Sequence, residues 1–157
     1  MNSVIQDCIE KEIFVRASKE RVYAALTTPE QFVKWFALGV EGKFEAGERP
    51  ILDFGEYGKG EIYVVAADPS DYFAYRCVPG AIFCPDGFEG DTLEFPNTLV
   101  EFRLESVDGG TKVHLRESGI ASLPAEIIEQ TLKDNDAGWT FMIGRLEEYL
   151  NTEQPGN

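Results

Sequence analysis

Glu117, Asn135 and Arg76 are polar residues set in otherwise apolar patterns, and they are the positions where this 157-residue chain could do chemistry. Burying such groups costs free energy unless they find partners. Each is therefore either a group wetted by solvent at a strand or helix end, or one that turns inward to orient a ligand. Two of them converging in a cavity would suit a carbonyl or hydroxyl. Glu117 and Arg76, with Tyr63 and Tyr75, are also the candidates for moving protons, because a general acid or base must lie within hydrogen-bond reach of the proton it transfers.

Other chemistries find less support. Cys8, Cys77 and Cys84 leave an odd thiol under any pairing and show no C-x-x-C spacing, so neither a disulfide framework nor a zinc site is suggested. His114 is the single histidine, and a His-rich metal site or a His-paired nucleophile would have to be built around that one ring. No metal and no cofactor is expected. Gly55, Gly58 and Gly60 lie in a hairpin region with no following helix, which makes them turn formers and not a nucleotide fingerprint.

Fourteen basic against twenty-eight acidic residues give a formal charge of −14, which repels phosphate backbones and anionic membrane surfaces. Nucleic acid is not an expected partner. No apolar run approaches the ~20 residues that span a bilayer, and Met1 to Glu12 is polar and acidic where a leader would be basic and then apolar. The expectation is a cytoplasmic protein without membrane insertion.

The elements that must position these residues follow from periodicity. With 43% apolar residues, the chain has the composition of one globular domain. Ile9, Ile13 and Val15 suggest a strand over about 8–16, interrupted in pattern by Lys11. Ser18 caps a short helix over about 19–26. Thr28, Pro29 and Gln31 read as the start of a second over about 29–36, with Gln31 completing a capping box. Short apolar runs alternating with turn residues over 40–77 are the pattern of an antiparallel meander. Residues 78–97 are an irregular insertion that carries apolar side chains, either a pocket lid or a plain structural insertion.

The clearest hairpin spans 98–118. Val100, Phe102 and Leu104 alternate with Glu101, Arg103 and Glu105, and Thr111, Val113 and Leu115 alternate with Lys112, His114 and Arg116. His114 is thus expected in solvent among basic neighbours. Glu117 shares the parity of Leu115 and points inward if the strand continues that far. Over about 123–150, Ile128, Leu132, Asn135, Trp139, Met142, Ile143, Leu146 and Leu150 recur at helical spacing on one face. Gly138 and Gly144 are its soft points, and a flexible tail follows over 151–157.

Two stretches carry a resemblance. IEKEIFVRASKERVYAALTTPEQFVKWF resembles the opening of bacterial proteins related to the C-terminal domain of the heat-shock protein 90 ATPase activator. TLVEFRLESVDGGTKVHLRESGI, followed by AGWTFMIGRLEEYL, resembles their final hairpin and helix. The match covers both ends of the chain, and the middle agrees in pattern only. That family is a branch of the START-like (SRPBCC) superfamily, which also holds lipid-transfer domains, aromatic polyketide cyclases and plant hormone receptors. The resemblance implies an α+β helix-grip fold, a curved antiparallel sheet wrapped around a long C-terminal helix with an elongated cavity between them.

Such a cavity would be mostly apolar with a few polar groups fixing orientation. Trp35 and Phe36, then Phe54, Phe73, Tyr75, Phe102 and Leu115 from the sheet, and Trp139, Met142 and Ile143 from the helix are the residues that could line it, although for each taken singly core packing is the favoured reading. Arg76, Glu117 and Asn135 would supply its polarity. On the helix, Trp139 to Leu150 would anchor the core and Ile128 to Asn135 would border the cavity mouth.

The resemblance implies three functions. The first is a non-enzymatic binder of a small, largely apolar molecule, lipid-like or aromatic. The second is a cyclase or aromatase, for which the chain offers no nucleophile motif. The third is a co-chaperone, against which stands the lack of anything resembling the activator's N-terminal domain. An exposed edge strand or an apolar loop could each support a homodimer.

Overall fold

The computed structural model describes residues 7–79 and 90–152. Seven strands form one antiparallel sheet: β1 Ile9–Val15, β2 Gly39–Glu41, β3 Ile51–Asp53, β4 Lys59–Asp68, β5 Tyr72–Cys77, β6 Thr98–Val107 and β7 Gly110–Ser118. Their spatial order is β1-β7-β6-β5-β4-β3-β2, so the first strand closes against the last and the remainder is a meander. Two short helices, α1 Lys19–Thr27 and α2 Pro29–Phe32, follow β1, and the long α3 Ala125–Thr152 ends the described chain. This is the α+β helix-grip arrangement.

The alternation read in the sequence decides which face of the sheet meets α3. Val100, Phe102 and Leu104 pair across the β6–β7 ladder with Glu117, Leu115 and Val113, and all six are buried. Lys11 shares the inward parity of Ile9 and Ile13, and its long side chain reaches α3, where its ammonium meets Asp136 at 2.7 Å. The apolar stem can stay against the core while the charge reaches the edge. From α3 come Trp139, Ile143, Leu146 and Leu150, all buried, at the spacing of one helical face. The helix runs unbroken through Gly138 and Gly144.

Several expectations need correction. Ser18 does cap α1, accepting from the Arg21 N–H at 3.1 Å, but Thr28 makes no side-chain cap bond. Gln31 builds no capping box; its Oε1 accepts instead from Arg21 at 2.6 Å and from the Tyr149 hydroxyl at 3.3 Å. The second helix stops at Phe32, not near residue 36, and a turn carries Trp35 into the core, where its indole N–H bonds the Ala25 carbonyl at 2.9 Å. Helix α3 continues through Asn151 and Thr152, so the tail does not begin at 151; Asn151 accepts the Arg16 backbone N–H at 2.8 Å and ties that end to the chain after β1.

His114 is half-exposed, with Lys112, Arg116 and Arg103 around it, but the groups that reach its ring are carboxylates. β1 lies beside β7 in register with it, bringing Glu10 to 3.1 Å from Nε2 and Glu12 to 3.5 Å from Nδ1. The described ends of the insertion include a short 3-10 turn at Thr92–Glu94. Residues 80–89, where the lid reading falls, and 153–157 of the tail lie outside the described residues. Among the described residues no helix is long and apolar enough to cross a membrane.

Candidate functional site

Glu117 is the polar centre of the interior. Inward parity at the end of β7 places its carboxylate under α3, with 1% of the residue exposed. Asn135 and Trp139, four residues apart on α3, project onto the same spot. Trp139 Nε1 donates to Glu117 Oε1 at 2.8 Å, and Asn135 Nδ2 lies 3.1 Å from both carboxylate oxygens. From the start of β6 the Thr98 hydroxyl donates to Oε2 at 2.6 Å. Among the described residues no cation pairs with this carboxylate, so its charge is held by neutral donors alone.

Above this hub a cavity of about 280 Å³ opens between the sheet and the middle of α3. Of the residues expected to line it, Phe36, Phe54, Tyr75, Glu117, Asn135, Trp139 and Met142 do so. Phe36 connects the aromatic wall, with its ring centroid 5.7 Å from Trp139 and 5.9 Å from Phe54. Trp35, Phe73, Phe102, Leu115 and Ile143 are buried core residues outside the lining. Phe102 still packs edge-on to Trp139 at 6.0 Å, so it supports the wall without forming it.

Arg76 and Tyr63 lie on the opposite face of the sheet. Strand side chains alternate, and Arg76 falls between the inward Tyr75 and Cys77; its guanidinium bonds Asn97 Oδ1 at 3.2 Å. Tyr63 sits opposite Arg76 in the β4–β5 ladder, beneath the Arg49 guanidinium at 4.9 Å from the ring centre. The helix also divides differently from expectation. Its lining residues run from Asp134 to Met142, while Ile128 and Leu132 pack against the core, because the cavity lies under the middle of α3 and not under its N-terminal half.

The pattern missed Thr98, Cys77, Ile62 and the rim residue Glu61. Cys77 and Ile62 carried a usable signal, the inward parity of Tyr75 and Val64 on their strands. Glu61 is held at the rim by the Thr92 hydroxyl at 2.6 Å and by Arg49 at 3.4 Å.

Electrostatics follow from burial beside one anion. Burial pushes the Cys77 thiol up to about 12, and the charge of Glu117 adds to the shift while the Thr98 contact opposes it. Burial, then Cys77 and Glu117, holds the Tyr75 phenol well above its ordinary range. Tyr75 is therefore a protonated hydroxyl at neutral pH, able to donate or accept a hydrogen bond and unsuited to act as a base. Glu117 and Tyr75 are the two proton-moving candidates that the cavity retains. Among the described residues no group of three or more His, Cys, Asp or Glu could hold a metal ion.

Comparison with known proteins agrees with this architecture. The family described as activator of Hsp90 ATPase homolog 1-like protein matches residues 16–151. No curated protein matches significantly. Among solved structures, the chain resembles DynU16, a protein of the dynemicin biosynthetic locus, at 25% identity and TM-score 0.72 over 97% of this chain; it spans only 50% of the length of DynU16. It resembles MLL2253 from Mesorhizobium loti at 19% identity and TM-score 0.74, covering 94% of this chain and 99% of the other. The Aha1 dimer from Colwellia psychrerythraea matches at 21% identity and TM-score 0.72, covering 94% and 98%. The last two likenesses show the fold.

Proposed function

This chain belongs to the activator of Hsp90 ATPase homolog 1-like family, and we propose that it binds a small, largely apolar molecule in the cavity between the sheet and the middle of α3. The cavity wall carries the reading: Phe36, Phe54, Tyr75 and Trp139 set four aromatic rings around it, with Glu117 and Asn135 as polar groups among them. A mostly apolar concave space with a few convergent polar groups is the pattern of a small-molecule site. At about 280 Å³ the space lies at the small end of ligand sites, which run from roughly 300 Å³ upward. One or two rings, or a short chain, fit that volume better than a two-tailed lipid.

The test is titration of the purified chain with a panel of short-chain lipids, flavonoids and other aromatics while amide NMR shifts are followed. Saturable shifts clustered on Tyr75, Glu117 and Trp139 are expected. No saturable shift from any member of the panel at millimolar concentration overturns the reading. Native mass spectrometry of freshly purified protein reads a co-purified molecule directly, and in the same spectrum it decides between a monomer and the homodimer that an open β2 edge would permit.

A further inference from the structure

The ionisable residues that line the cavity carry one sign. Glu117, Glu61 and Asp134 contribute to its surface, and no lysine, arginine or histidine does so among the described residues. Of the cations on neighbouring segments, Lys11 pairs with Asp136, Lys59 with Glu41 and Arg116 with Glu101, Arg76 bonds Asn97 on the opposite face of the sheet, and Arg49 pairs with Asp91 and with the lining Glu61. Asp134 accepts a hydrogen bond from Gln130. Asp134 is exposed, so the buried charge left without a cation is that of Glu117.

The free polar atoms are mostly acceptors. A carboxylate only accepts, so the Asn135 nitrogen must face Glu117, which leaves Asn135 Oδ1 as the atom of that amide without a bond among the described residues. The Tyr75 hydroxyl accepts as readily as it donates. Phe36, Phe54, Tyr75 and Trp139 add four aromatic rings around the same space. Aromatic faces attract cations, most strongly where water is excluded.

We infer that the cavity selects an apolar amine, a hydrophobic body bearing an ammonium or comparable N–H donor, and rejects a carboxylate of the same shape. This rests on the proposed ligand site and adds the polarity of its occupant. An ammonium would bring Glu117 the counter-charge it lacks and would donate to Asn135 Oδ1 and the Tyr75 oxygen. A carboxylate would meet the field of Glu117 in a low-dielectric space with the Tyr75 hydroxyl as its main donor.

Three probes of one shape separate the possibilities: naphthylmethylamine, naphthylmethanol and naphthoic acid, titrated calorimetrically into the full chain. The amine is expected to bind at least about tenfold more tightly than the acid, with the alcohol between them. In Glu117→Gln, with folding checked by its amide spectrum, the amine should lose its advantage over the alcohol. Asn135→Leu, which leaves the carboxylate in place, should narrow the ratio of amine to acid and gives a second arm if Glu117→Gln does not fold. Equal binding of all three probes, or preference for the acid, overturns the amine inference and leaves the cavity reading standing. Binding of none of them also overturns the amine inference, and the titration with the wider panel then decides the cavity reading.

Discussion

Trp139 of α3 donates its indole N–H to Glu117 of β7 across 2.8 Å, joining the closing helix to the sheet through a buried carboxylate. Trp139→Phe keeps an aromatic ring against Phe36 and Phe102, deletes the donor and removes the volume of one ring of the indole. It should cost at least about 1.5–3 kcal/mol, the range for a hydrogen bond to a charged group. Trp139→Ala, which also empties the ring's volume, should cost about 3–5 kcal/mol. Urea unfolding measures both. A Phe variant as stable as the wild type would mean that the packing, and not the bond, holds α3 at this point.

Glu117 and its donors should be non-additive. Glu117→Leu strands the Thr98, Asn135 and Trp139 donors in the interior and should cost about 2–4 kcal/mol. Adding Trp139→Phe removes one stranded donor. The double variant should therefore be more stable than the sum of the singles predicts by about 1 kcal/mol or more. Strict additivity in a double-mutant cycle would show that the two groups do not interact in solution.

The hub was half legible in the sequence, for reasons visible residue by residue. Strand parity carried Glu117 inward, and the four-residue spacing placed Asn135 and Trp139 on one helical face, both being local periodicities. Thr98 carried no such mark. A threonine at a strand start is ordinary until the β6–β7 register sets it beside Glu117, and register is a long-range fact. The carboxylates at His114 have the same origin: Lys112 and Arg116 are near it in sequence and Arg103 pairs with it from β6, but the β1–β7 register is what brings Glu12 and Glu10 to its ring. Arg76 is different, because its parity, one step after Tyr75, was readable all along and points away from the cavity. The position of the cavity along α3 depends on how far the sheet curls, which no local pattern encodes.

Cys77 predicts an alkaline loss of stability. Its thiol rises from an ordinary 9.0 to about 12, first through burial and then through Glu117. The unfolded chain releases this proton above pH 9, whereas the folded chain keeps it until near 12. The contribution is therefore complete below pH 9 and is lost as pH rises toward 12, at up to about 1.4 kcal/mol per pH unit. Tyr72 and Tyr75 shift in the same direction, so the difference between wild type and Cys77→Ala reads the thiol together with the part of the Tyr75 shift that it causes. That difference should shift steadily against the wild type across the window in denaturant unfolding. A difference independent of pH would contradict the buried, protonated thiol.

Of the described glycines, Gly110 leaves the least room for a side chain. A methyl group added there would lie 2.0 Å from the Val15 carbonyl oxygen, and a backbone atom at the end of β1 cannot turn aside as a side chain could. Gly110→Ala should force β1 and β7 apart at this end and cost at least about 2 kcal/mol. Thermal unfolding reads the loss, and amide shifts should change at Val15 and Arg16 before they change anywhere on α3.

The two helix glycines separate stability from binding. A methyl group at Gly138 or Gly144 meets nothing within 4 Å, and both residues are exposed in the interior of α3. Each change to alanine should stabilise by about 0.5–1 kcal/mol by reducing the freedom of the unfolded chain and improving helix propensity. They differ in one respect: Gly138 lines the cavity and Gly144 does not. Gly144→Ala should leave the affinity for naphthylmethylamine unchanged, whereas Gly138→Ala places a methyl group at the wall, one turn from Asn135, and should alter it. Equal stabilisation with equal affinity in both variants would place the bound molecule away from the middle of α3.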